Sequence, residues 1–109
     1  METYNTESGI EEFLTSDIQK GDLVQVSIED GREIEAEVFF VSKLQPVEPG
    51  DAIEVSVVDE DGNELYLFAE LTGESRSNYY CSVSRYIEKS AENEHLGEIE
   101  EITNLSGRN

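Results

Sequence analysis

The sequence predicts a mainly β domain, a small five-stranded antiparallel barrel with a short N-terminal helix and an acidic C-terminal extension. Three observations predict it. Apolar residues recur with a period of two through most of residues 23–87, Gly- and Asp-containing turns punctuate that pattern, and 109 residues supply one hydrophobic core and not two.

Residues 1–7 carry no periodic pattern and are expected to be flexible. Ser8 followed by Glu11 has the form of a capping box, and Ile10, Phe13, Leu14 and Ile18 then recur at helical spacing. A helix over about 8–16 is predicted, ended by Gly21. From Leu23 the period becomes two, with Val24, Val26 and Ile28 on one face and Gln25, Ser27 and Glu29 on the other. Asp30-Gly31 supplies the positive φ of a tight hairpin turn. A second strand, about 32–42, sets Ile34, Ala36, Val38 and Phe40 inward and Glu33, Glu35 and Glu37 outward. Phe39 and Val41 interrupt its polar side and need a cover, for which the N-terminal helix is the candidate.

Pro46 and Pro49-Gly50 mark a loop, after which the plan repeats. Gly21 to Ile28 matches Gly50 to Val57 at each apolar and polar place, and Asp30-Gly31 matches Asp61-Gly62 after a two-residue insertion. Duplication and convergence on hairpin rules account for this equally well. A fourth strand, 64–71, turns Leu65, Leu67, Ala69 and Leu71 one way and Tyr66 and Phe68 the other. A fifth, 78–87, separates Tyr79, Cys81, Val83 and Ile87 from Tyr80, Ser82, Ser84 and Tyr86. Closing five such strands into a barrel removes their exposed edges. The helix and barrel are assigned to 8–89. Residues 90–109 read as a partly ordered acidic extension, in which Gly97 to Ile102 fits either a sixth, bulged strand or a helical turn presenting Ile99, Ile102 and Leu105.

Val24, Val26, Ile28, Gly31, Ile34, Ala36, Val38 and Val41 follow the apolar and glycine pattern of a known motif. Over about twenty residues this stretch resembles the first motif of Sm-like RNA-binding proteins, and the resemblance implies an SH3-like or Sm-like barrel. Two departures bear on function. No Asp and Asn pair follows Val41 where that family contacts bases, and Arg85 is followed by Tyr86 and not by glycine.

The chain holds 26 Asp plus Glu against 7 Lys plus Arg, a formal net charge of -19. In ordinary salt, with a Debye length of about 8 Å, neighbouring carboxylates repel; at molar salt the length is about 3 Å. Lysine, whose long stem covers apolar surface, occurs only at 20, 43 and 89. In composition the chain resembles the acidic proteins of salt-in haloarchaea, which implies a saline cytoplasm. Its acids alternate with Val, Ile, Leu and Phe, as solvated strand faces do. A surface imitating nucleic-acid phosphates, the third functional reading, would concentrate them on one face. Cys81 is the sole cysteine, so no internal disulfide can form. Met1 to Gly9 lacks the features of a signal peptide, and no apolar run has bilayer-crossing length. A soluble cytoplasmic protein without membrane association is expected.

No catalytic residue, metal ligand or cofactor is assigned. A Cys–His nucleophile would have to join Cys81 to His95, and no spacing singles out an acid/base pair of carboxylates. Asp59, Glu60, Asp61, Asn63 and Glu64 crowd around Gly62, yet Glu64 follows that glycine by two residues where a calcium loop needs six. Phosphate-binding glycine loops are absent from the sequence. The leading expectation is a non-enzymatic binding or adaptor domain that meets a protein partner through outward Tyr66, Phe68, Tyr80 and Tyr86. The alternative is a binder of single-stranded RNA or DNA using Arg76, Tyr80, Arg85 and Tyr86, because aromatic platforms beside guanidinium groups stack bases.

Overall fold

The structure is a computed structural model and describes residues 2–42, 46–73, 78–87, 89–90 and 92–106. These residues form seven strands: β1 (Glu2–Tyr4), β2 (Leu23–Ile28), β3 (Glu33–Val41), β4 (Ala52–Asp59), β5 (Glu64–Leu71), β6 (Tyr79–Ile87) and β7 (Glu92–Asn104). From β2 to β7 each strand pairs antiparallel with the next, and β7 returns to β2, which closes a six-stranded meander barrel. The predicted strands are therefore all present, but the barrel has six strands and not five.

The sixth strand comes from the stretch expected to be an acidic extension. Its first half, through Glu98, pairs with β6, and its second half, Ile99 to Asn104, pairs with β2. Two register shifts let it bend between these partners, one beside Leu96 and one beside Glu100. Of the two forms open to Gly97–Ile102, the bulged strand is the one adopted, and Ile99 and Ile102 enter the core. Where β7 leaves β6, β1 lies on the vacated edge, pairing Glu2, Thr3 and Tyr4 with Asn104, Thr103 and Ile102. The N-terminus, expected to be flexible, thus contributes an extra strand.

Between β1 and β2 runs the helix α1 (Glu7–Glu12). Its N-cap is Thr6 and not Ser8: Gly9 N–H donates to Thr6 Oγ1 at 3.1 Å, the bond an N-cap side chain accepts two or three residues on. The helix widens into a π turn, Phe13–Asp17, whose last bond runs from Ile18 N–H to Phe13 O at 2.9 Å. Ile10, Phe13, Leu14 and Ile18 join one core with the inward residues of all six barrel strands. Tyr4 of β1 stacks on Phe13, with ring centroids 4.6 Å apart. The helix therefore plugs the end of the barrel where β6 and β7 part.

The repeated sequence is repeated in its bonds. In Gln19 to Asp22 the Asp22 N–H donates to Gln19 O at 3.0 Å and the Asp22 carboxylate accepts from Gln19 N–H at 2.9 Å. In Glu48 to Asp51 the Asp51 N–H donates to Glu48 O at 3.0 Å and its carboxylate accepts from Glu48 N–H at 3.1 Å. Both turns use a glycine at positive φ, Gly21 at 94° and Gly50 at 96°. Each hairpin loop has three residues, because Ile28 N–H bonds Arg32 O and Asp59 N–H bonds Asn63 O. The tight hairpin turn expected at Asp-Gly is thus a three-residue loop in which the glycine takes the left-handed place before the returning strand. Asp22 is buried and Asp51 exposed. Asp22→Ala should therefore lower unfolding free energy by about 1–3 kcal/mol, the worth of a part-buried hydrogen bond to a charged carboxylate, and Asp51→Ala by under about 1 kcal/mol. Denaturant melts of the two variants check this.

β3 carries the one phase change that reverses an expectation. Val38 pairs with Val57, but Phe40 pairs with Ser56, so Phe39 is an extra residue bulged out of the ladder. Phe40, predicted inward, consequently faces out and is 53% exposed. Val41 turns toward the core instead. The helix does not cover Phe39, which lines an open hollow with Gln19, Lys20, Phe40 and Val41.

Candidate functional site

The outer face of β5 and β6 holds the predicted aromatic residues. Alternation along β5 gives Glu64, Tyr66, Phe68 and Glu70, and along β6 Tyr80, Ser82, Ser84 and Tyr86. Register then decides their neighbours: Tyr66 lies opposite Ser84, Phe68 opposite Ser82, and Glu70 opposite Tyr80. Two rings thus sit side by side on one strand, with centroids 6.1 Å apart, against two serines on the next. Tyr80 and Tyr86 stand at either end of the serine pair. The rows continue across the sheet, because Ser56 pairs with Tyr66 and with Phe40, and His95 pairs with Ser84. Phe40, Ser56, Tyr66, Ser84 and His95 form one transverse line.

Three serines make the floor of this face. Ser56, Ser82 and Ser84 are only 5%, 6% and 7% exposed although their strand positions point out of the barrel. Among the described residues none of the three hydroxyls has a hydrogen-bond partner, and each oxygen still reaches the surface. His95 closes one side: its ring stacks with Tyr80 at 6.0 Å, and Tyr80 Oη and His95 Nε2 share a hydrogen bond of 2.9 Å.

Carboxylates frame the rings. Glu54 pairs with Phe68, Glu98 pairs with Ser82, and Tyr66 Oη–H donates to Glu64 at 3.2 Å. Burial raises the Tyr66 phenol above its ordinary pKa, and the Glu64 hydrogen bond and the charges of Glu64 and Glu54 raise it further. Tyr80 is raised likewise, first by burial and then by the charges of Glu29, Glu98 and Glu70. Both phenols therefore remain protonated donors at neutral pH.

Of the predicted basic residues, Arg76 lies outside the described residues. Arg85 is not part of the aromatic face. It sits opposite inward-facing Leu65 at the rim of the barrel, where its Nη2 donates to Glu94 at 2.9 Å. Lys89 is exposed in the turn beyond Tyr86 and lines a shallow hollow with Asn63, Glu64, Arg85, Tyr86 and Ile87. Of the described members of the alternative set, Tyr80 and Tyr86 thus lie on the aromatic face, and Arg85 meets Tyr86 only at its rim. Phe40, His95 and the serine floor went unnoticed as site residues. The tandem Phe39-Phe40, which breaks the alternation of β3, was the available sign of the bulge.

Cys81 and His95 lie on opposite sides of the barrel wall. Cys81 faces the core, its Sγ–H donating to Glu7 O at 3.6 Å, and burial pushes its thiol up to about 12, with Glu7, Glu11 and Glu98 adding to the shift. The native protein should resist Ellman's reagent in mildly alkaline buffer and react fully once denatured. Rapid native labelling would show that the helix plug opens. At the hairpin where acids crowd around Gly62, the Asp59 carboxylate is engaged by its own turn, accepting from Asp61 N–H at 3.0 Å and Asn63 N–H at 2.8 Å. No helix among the described residues is long and apolar enough to cross a membrane. No protein-family model, curated protein or solved structure matches this chain.

Proposed function

We propose that this chain is a non-enzymatic binding or adaptor domain of a halophile's cytoplasm, with the outer face of β5 and β6 as its contact surface. Tyr66, Phe68, Tyr80 and Tyr86 are its anchors, extended by Phe40 and His95. The observation that carries the reading is the register that sets Tyr66 and Phe68 together beside Ser84 and Ser82. Tyr66, Phe68, Tyr80 and Tyr86 form a contiguous group of partly exposed rings on this face, where a partner can bury apolar and aromatic surface. A protein partner fits such a face, since aromatic side chains with two rotatable bonds bury large area at small entropic cost.

A photo-reactive benzoylphenylalanine at position 68 tests this in cells, with the same residue at position 25 on the outer face of β2 as control. A discrete adduct from position 68 and none from position 25 is expected. Equal yields from both positions would remove the β5–β6 face as the contact surface. Single-stranded nucleic acid is the second reading, favoured by the adjacent rings of Tyr66 and Phe68. The carboxylates of Glu54, Glu64, Glu70 and Glu98 around those rings weigh against it, because each phosphate brought there meets negative charge.

A further inference from the structure

We propose that the partner segment recognised by the β5–β6 face carries arginine, whose guanidinium lies on the Tyr66 and Phe68 rings, donates to the serine hydroxyls beneath, and meets the surrounding carboxylates. The inference rests on the binding role proposed for this face and adds the chemistry of its ligand.

Two independent observations point to that chemistry. The first is the floor. Ser56, Ser82 and Ser84 are each more than nine-tenths buried, aim outward, and lack a hydrogen-bond partner among the described residues. Such hydroxyls left under a dry interface would be costly, so the ligand must bring hydrogen-bonding groups down between the rings. The second is the frame. Glu54, Glu64, Glu70 and Glu98 surround the rings, and the described arginines are both paired away from them, Arg32 to Asp30 and Arg85 to Glu94. A ligand that offers donors, carries positive charge and has a flat face for stacking satisfies all three features at once. Guanidinium does so with five N–H donors in a plane, whereas ammonium is a compact, strongly hydrated point charge. A second copy of the chain is a poor occupant, since it would bring its own net charge of -19.

The test is an amide-resonance titration of the full chain with four peptides of equal length, built from alternating glycine with arginine, lysine, citrulline or glutamate, and with oligo-dT. The arginine peptide should shift resonances confined to β5, β6 and their neighbours Ser56 and His95. Lysine should bind about fivefold more weakly, and uncharged citrulline about tenfold or more. Glu54→Gln combined with Glu98→Gln, which keeps every ring, should weaken the arginine peptide about fivefold, and Tyr66→Ala about tenfold. Citrulline, glutamate or oligo-dT shifting the same resonances as strongly as arginine would overturn the cationic ligand and leave the contact face standing. Arginine-peptide shifts scattered over all acidic strands and insensitive to Tyr66→Ala would overturn it as mere counter-ion attraction. Silence of the β5–β6 resonances toward every probe would overturn the inference, and the crosslinking experiment would then decide the face separately.

Discussion

A chain ending at residue 91 should not fold. Circular dichroism and amide dispersion are expected to show a collapsed or disordered state, in contrast to the cooperative unit that an 8–89 domain with a dispensable tail would give. The deleted strand carries Ile99 and Ile102, both in the core. Truncating one buried isoleucine to alanine costs about 2–5 kcal/mol, and loss of both approaches the whole stability of a small domain, about 5–15 kcal/mol. Backbone loss adds to this. Without β7, β2 and β6 each lose one of their two pairing partners, β1 has no strand to join, and two long edges open. Ile102→Ala in the full chain separates the two contributions: it should lower the denaturation midpoint by an amount corresponding to about 2–5 kcal/mol yet leave a folded barrel. A soluble, dispersed spectrum from residues 1–91 would show that closure is dispensable.

The contrast between β7 and the other strands shows what sequence could disclose. Val24, Val26 and Ile28 on β2, and Leu65, Leu67, Ala69 and Leu71 on β5, were legible because alternation held along the whole strand. The turns were legible because glycine is the residue that tolerates their positive φ. In β7 the first half lies at the barrel rim, where Asn93 and Glu94 face Tyr86 and Arg85 and no inward apolar residue is required. Its composition therefore imitates a linker. Its second half is apolar inward but interrupted at Glu100, so its period is neither two nor 3.6. β1 is held by pairing with β7 and by the Tyr4 ring on Phe13, and nothing in Glu-Thr-Tyr announces that.

The candidate face was legible in part for the same reason. Strand parity set Tyr66, Phe68, Tyr80 and Tyr86 outward, but Arg85 was grouped with the tyrosines although it alternates with them on β6. Their assembly needed register, which depends on where each hairpin turns and where β3 bulges. Phe40 was misplaced because alternation assumes an unbroken ladder, and the bulge at Phe39 flips each residue after it. His95 was misplaced with its strand. The serines were seen as polar outer residues; that they lie buried beside the rings is a property of packing between strands.

Thermal stability should rise steeply with KCl from about 0.1 M to about 1 M and then level off, as the Debye length shrinks from about 10 Å to about 3 Å. The chain carries a net charge of -19, and its described ion pairs are two, Arg32–Asp30 and Arg85–Glu94, both exposed. Exposed pairs contribute little, so repulsion among the remaining carboxylates is the main electrostatic effect on the fold. One contact makes the sign explicit. Glu60 lies against Glu35, and the hydrogen bond and charge of Glu35 raise the Glu60 carboxyl above its ordinary range. The folded state therefore holds a proton that the unfolded chain releases, and stability increases as pH falls through the raised value. In dilute salt, acidification from neutral toward the upper end of the carboxylate range should thus raise the melting temperature. In molar KCl that dependence should flatten. KCl also acts on apolar hydration, and Glu35→Gln separates the two effects: it should raise the melting temperature in dilute buffer and leave it unchanged at molar salt. A melting temperature indifferent to KCl, in the parent and in Glu35→Gln alike, would remove the saline cytoplasm from the proposed function and leave the acidity of the barrel surface to be explained by its partner.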